Sequence, residues 1–109
     1  MAEAKKILGQ VALAAAAQVD VYTVPASTQV VSSSVVICNT SGANRTFNLS
    51  VAIAGAVDTP AQYLYWNEEL PKDSSFVATI GITLGEADVI RAESNGADVS
   101  VNVFGVEIS

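Results

Sequence analysis

Between Thr46 and Ile53 large apolar side chains take every second position. Phe47, Leu49, Val51 and Ile53 alternate with Thr46, Asn48, Ser50 and Ala52, and Phe76, Ala78, Ile80, Ile82 and Leu84 repeat the pattern further on. Extended backbone sends successive side chains to opposite faces, so a period of two marks a pleated strand with one face buried. Antiparallel sheets are the usual home of such strands. A chain of 109 residues is one domain by length, and long enough to bury a core without staples.

Turn-forming residues punctuate the chain at regular intervals, the all-β spacing signal. Strands are predicted at about 7–13, 18–24, 30–38, 45–53, 63–68, 75–84, 89–94 and 98–108. Asn95-Gly96 is a strong hairpin signal, because both residues tolerate positive φ. In the last strand Val99, Val101 and Val103 share one face, whereas Phe104, Val106 and Ile108 share the other. Gly105 marks the change, which predicts a bulge or a crossing from one sheet to the other. The expected fold is a single-domain antiparallel β-sandwich of about eight strands, jelly-roll-like. Residues 1–18 are expected as an arm or added strand and 19–109 as the sandwich. The segment from Lys5-Lys6 through the alanines loosely resembles a secretion signal, but Gly9 and Gln10 interrupt it, so it reads as mature structure.

Half the residues are hydrophobic and only 15% are charged, which points to a surface partly covered by copies of the chain or by a larger assembly. Eleven acids against five bases give a net charge of −6. That balance argues against nucleic acid or an anionic membrane as partner, since both require a positive patch. No stretch approaches the ~20 apolar residues of a membrane helix.

The chain has no histidine and one cysteine. A histidine-based triad and a Cys/His metal set are therefore excluded, and no Gly-rich phosphate loop follows a strand. No cofactor or metal is expected. Cys38, in the run Val35-Val36-Ile37-Cys38, reads as a buried small hydrophobe. Glu68 and Glu69 are neighbours on a strand and point to opposite faces, so they do not flank one substrate. Glu86 and Asp88 flank a turn and lack the acid spacing of a calcium loop.

The remaining candidates are interface residues. Tyr63 and Tyr65 share one strand face, Leu64 and Trp66 the other. Leu64 and Trp66 are expected in the core, with the tyrosines lining a subunit contact; stacking on sugar rings is the alternative. Arg45 and Arg91 are expected as salt-bridge or interface anchors. Ile7, Leu8, Val11 and Leu13 would let the arm join an exposed sheet edge on a neighbour.

Several segments, in this order, resemble a group of small tailed-bacteriophage virion proteins. They are Gly9-Gln10 with the following alanines, Val21 to Ala26, Val31 to Gly42, Tyr63 to Trp66, Thr79 to Arg91, and Phe104 to Ile108. The resemblance implies a non-enzymatic structural protein, foremost a capsid decoration (cement) protein that binds the capsid surface and stabilises the particle. A tail, baseplate or fibre component is the alternative, and a carbohydrate-binding module a more distant one. It also implies the major capsid protein or other virion proteins as partners, self-association with a trimer expected, synthesis in the host cytoplasm and a place on the virion surface. It carries no defined binding residues.

Overall fold

The computed structural model describes residues 2–109. In chain order the strands are β1 (Glu3–Leu13), β2 (Val19–Thr23), β3 (Gln29–Asn39), β4 (Arg45–Ala52), β5 (Tyr63–Leu70), β6 (Ser75–Ala78), β7 (Ile82–Leu84), β8 (Val89–Ser94) and β9 (Val99–Ile108). Two short 3₁₀ turns, Ile53–Gly55 and Pro60–Gln62, lie between β4 and β5.

The strands form two antiparallel sheets. Sheet I runs β1-β9-β3-β6, with β7 also on β3; sheet II runs β2-β8-β4-β5. The chain passes from one sheet to the other at most of its turns, and the result is a jelly roll, in which two Greek keys interlock. The expected sixth strand is broken at Thr79–Gly81 into β6 and β7. The break follows an irregularity in β3, whose register against β9 shifts between Ser32 and Ser34. Counting β6 and β7 together restores the eight strands of the sequence reading.

Inward rows from the two sheets build one core. Val30, Val35 and Ile37 of β3 and Val99, Val101 and Val103 of β9 meet Phe47 and Leu49 of β4 and Ile90 and Ala92 of β8. Valine and isoleucine suit a pleated, half-buried surface, and fully burying one such side chain contributes about 1.5–3 kcal/mol.

Three sequence expectations are corrected here. First, β9 does not change sheets. It pairs with β1 on one side and β3 on the other along its whole length. The bulges sit instead on its partners, between Ile7 and Gly9 and between Ser32 and Ser34. Gly105 continues the inward row, at a place where a Cβ would collide with the Val31 carbonyl and the Ser32 backbone. Second, Asn95-Gly96 closes no hairpin, because β8 and β9 belong to different sheets and neither residue has positive φ. Asn95 instead extends the β4 ladder: its side-chain oxygen accepts from the Thr46 amide at 3.0 Å. Gly96 makes room for the Arg45 guanidinium, which a Cβ would strike. Third, Cys38 is only half-buried and lies on the outward row of β3, between Ser75 and Ser100.

The segment expected as an arm or added strand is, over Glu3–Leu13, an edge strand of sheet I. Its first residues lie beside the last of the chain, with Glu3 opposite Ile108.

Candidate interaction surfaces

Arg91, on the outward row of β8, is held from four directions. Its Nε donates to Asp20 at 2.9 Å and its Nη1 to Asp58 at 2.8 Å and to the Ala56 carbonyl at 2.6 Å; Nη2 donates to the Gly55 carbonyl at 2.8 Å. Asp58 also accepts from Ser50 Oγ at 2.5 Å and Gln18 Nε2 at 2.8 Å. Asp20 and then Asp58 hold the guanidinium protonated more firmly than usual. With four of its five N–H groups engaged, Arg91 clamps the loop Ile53–Gln62 onto sheet II. Of the two roles expected for it, the salt bridge is the one seen. Arg45 makes no salt bridge among the described residues; it lies over Gly96 and donates to the Ala97 carbonyl at 3.3 Å.

Of the two acidic pairs, Glu86 and Asp88 serve the backbone. Asp88 accepts from the Gly85 amide at 2.8 Å and the Ala54 amide at 2.9 Å, and Glu86 from the Ser27 amide at 2.6 Å. No group of three or more His, Cys, Asp or Glu able to hold a metal occurs among the described residues. No helix there is long and apolar enough to cross a membrane.

The aromatic segment is rearranged by two irregularities in β5, which pairs Phe47 with Glu68, Leu49 with Tyr65 and Ser50 with Tyr63. Leu49 faces the core and Ser50 faces out, so the two tyrosines lie on opposite faces despite their spacing. Tyr65 packs on Phe76 and Phe47, with ring centroids 4.9 and 6.2 Å apart. Asn67 takes positive φ, and its amide donates to Asn48 Oδ1 at 2.8 Å. Leu64 and Trp66 are outside, Trp66 at 61% exposure, so the expectation that they enter the core is overturned. A strict period of two does not survive bulges in the strand that carries it. Trp66 meets Tyr63 edge to face at 4.6 Å, and with Asp58, Thr59 and Pro60 they line an open groove of about 490 Å³.

At the chain's start, Leu8 and Leu13 are buried in the core and Val11 packs against it. Of the four apolar residues expected on a docking arm, Ile7 alone lies outside, at 52% exposure. It adjoins Phe104 of β9, which is next to Ser34 of β3. Val106 adjoins Val31, and Val36 adjoins Val77. These side chains form an apolar stripe across the outer face of sheet I. The sequence carried its signal in the doublets Val30-Val31 and Val35-Val36 and in the parity of Phe104 and Val106. A strand that is apolar at consecutive positions has two apolar faces.

At the end of the sandwich near Ile108 the sheets are tied by a hydrogen bond to a carboxylate. Tyr22 of β2 donates to Glu107 Oε2 of β9 at 2.5 Å, and Lys6 of β1 lies 2.8 Å from Glu107 Oε1. Hydrogen bonds from Lys6 and then Tyr22 lower the Glu107 pKa from its ordinary 4.5. Burial, then the hydrogen bond to Glu107, pushes the Tyr22 hydroxyl well above its ordinary 10.0.

No family model matches the chain, and no curated protein matches it. Solved structures do. A chain of the T13 particle of infectious bursal disease virus aligns with 96% of this chain at 9% identity and a TM-score of 0.56. The Gx strain of that virus gives 97% coverage, 8% identity and 0.55. A pentameric capsid protein isolated from metagenomic phage sequences aligns with 95% of this chain and 62% of its own length, at 16% identity and a TM-score of 0.42. This chain spans 30% and 32% of the two bursal-disease virus chains. At these identities the likeness to the bursal-disease virus chains is one of fold.

Proposed function

We propose that this protein is a non-enzymatic structural component of a virus particle, and that it decorates the capsid of a tailed phage, binding the shell and stabilising it. The observation that carries the reading is the jelly roll itself, shared over 96% of the chain with a chain of the bursal-disease virus particle. Fold alone does not assign function. Two further features support the reading. The segments quoted above resemble tailed-phage virion proteins, and Asp58, Glu86, Asp88 and Arg91 are engaged in clamping loops onto the sheets. The partners under this reading are the major capsid protein and further copies of the chain, and the place of residence is the particle surface.

Quantitative mass spectrometry of purified particles tests it. Hundreds of copies per particle are expected of a decoration protein. A dozen or fewer would move the chain to the tail or neck, and absence from particles would overturn the virion role.

One observation favours a second reading. Trp66 and Tyr63 form an aromatic corner with an interplanar angle of 74° in an open groove, a shape that can stack on a sugar ring. Against it, the Asp58 carboxylate is already occupied by Arg91, Ser50 and Gln18, and Thr59 by Gln62 and the Ala61 amide. A glycan array decides: binding lost in Trp66→Ala supports the sugar site, and an array without binders removes it.

A further inference from the structure

The outer faces of the two sheets differ sharply in charge. Sheet II carries Asp20, Arg91 and Glu93 on its outward rows, with Asp58 laid over them. On the outward rows of sheet I stand three apolar cross-strand pairs, Ile7–Phe104, Val106–Val31 and Val36–Val77, in neighbouring rows that Lys5, Gln10, Asn102, Ser34 and Thr83 complete. Of the eleven acids and five bases, only Glu3 and Lys5 belong to its outward rows, both on the edge strand β1. Ile7, Val31 and Val77 are 52%, 43% and 56% exposed.

We infer that the outer face of sheet I is the contact between two copies of this chain, packed sheet on sheet. The inference goes beyond the virion reading and does not depend on it. Charge selects the occupant. Two copies at −6 each repel, and pairing through sheet II would set carboxylates against carboxylates. On the sheet I face charge is confined to Glu3 and Lys5 at the β1 edge, and an identical surface matches its own polarity, as a twofold contact requires.

Area agrees. The ten residues of β9 across four strand positions give a flat footprint on the order of 600 Å² per copy, at ~3.3 Å rise and ~4.8 Å spacing, against ~800 Å² per partner in a standard interface. Corrugation by the side chains raises the accessible area above the flat figure. Sheets pack face to face at about 10 Å, a distance that Val, Ile and Phe rows fill.

The test is sedimentation velocity with light scattering on the full chain at about 100 μM, where contacts with Kd of micromolar or tighter are saturated. The expected mass is twice 11.2 kDa. Val31→Lys with Val77→Lys places charge on the face, on β3 and on the edge strand β6, and dimer Kd should rise on the order of 100-fold, as for a disrupted interface. Both side chains point to solvent within one copy, so the circular dichroism spectrum should stay unchanged. The milder pair Val31→Thr and Val77→Thr should weaken association by a smaller factor, and Trp66→Ser on sheet II should leave it intact. A monomer at that concentration, a trimer, or a dimer indifferent to both valine pairs but broken by Trp66→Ser would each overturn the inference. Absence of the protein from virus particles would leave it standing, and a monomer found in hundreds of copies on particles would sink it while sparing the virion role.

Discussion

Asn39 is buried, and its polar atoms are fully engaged. Its Nδ2 donates to the Ala43 carbonyl at 2.8 Å and the Leu70 carbonyl at 3.0 Å, while Oδ1 accepts from the Ser41 amide at 2.9 Å. The residue thus ties the β3–β4 loop to the end of β5. Replacing it with alanine leaves a buried carbonyl unpaired, which should cost about 2 kcal/mol in urea unfolding. Gly105→Ala is a second test at a single residue. The added methyl meets backbone, so the sheet must shift, at a cost of about 1–3 kcal/mol. Glu107 gives stability a pH signature. Its pKa is lower folded than unfolded, so its contribution is present above about pH 4.5 and is lost as pH falls through the folded value. Tyr22 is raised, so its contribution is whole below pH 10.0 and declines as pH climbs beyond it. Thermal melts across pH should show both limbs. Glu107→Gln should flatten the acid limb and shrink the alkaline one, since Tyr22 then faces no carboxylate.

Among elements, the loop Ile53–Gln62 depends on Arg91. The guanidinium and Asp58 are 12% and 4% exposed at the side chain, so removing one partner strands a buried charge. Arg91→Met should cost about 3 kcal/mol and raise hydrogen exchange first at the amides of 53–62. Wild-type protection of that loop in the variant would count against the clamp. This element was partly legible beforehand. The residue type and strand setting of Arg91 predict a salt bridge or an interface anchor, but Asp20 and Asp58 are far from it in sequence. No periodicity brings together Gln18, Ser50, Asp58 and Arg91; only the pairing of β2, β4 and β8 does. β5 was legible as a strand and misread as to faces, because the positive φ at Asn67 and the two register shifts answer to neighbours on β4.

At the scale of the whole molecule, the two ends of the chain close the fold. Ala2 and Ser109 exchange backbone hydrogen bonds at 2.8 and 2.9 Å, and β1 pairs along β9 from Glu3 to Leu13. Contacts so distant in sequence must wait for costly loop closure, so refolding from urea should take milliseconds to seconds in stopped flow. Deleting residues 2–13 removes Leu8 and Leu13 from the core and leaves β9 as a bare edge. We expect that truncation to lose cooperative unfolding, and a sharp melt from the shortened chain would refute the structural role given to β1.

The amino-acid order by itself determined that the backbone is extended, which row of β4 turns inward, and that no histidine is at hand for chemistry. These follow from side-chain alternation and residue type, which act over a few neighbouring positions. Only the tertiary structure decided which strands share a sheet, where bulges invert a face, and that Phe104, Val106 and Val31 form one neutral surface. Those outcomes depend on register between segments up to a hundred residues apart in the chain, and register is fixed by the packing of all strands together, where no local pattern reaches.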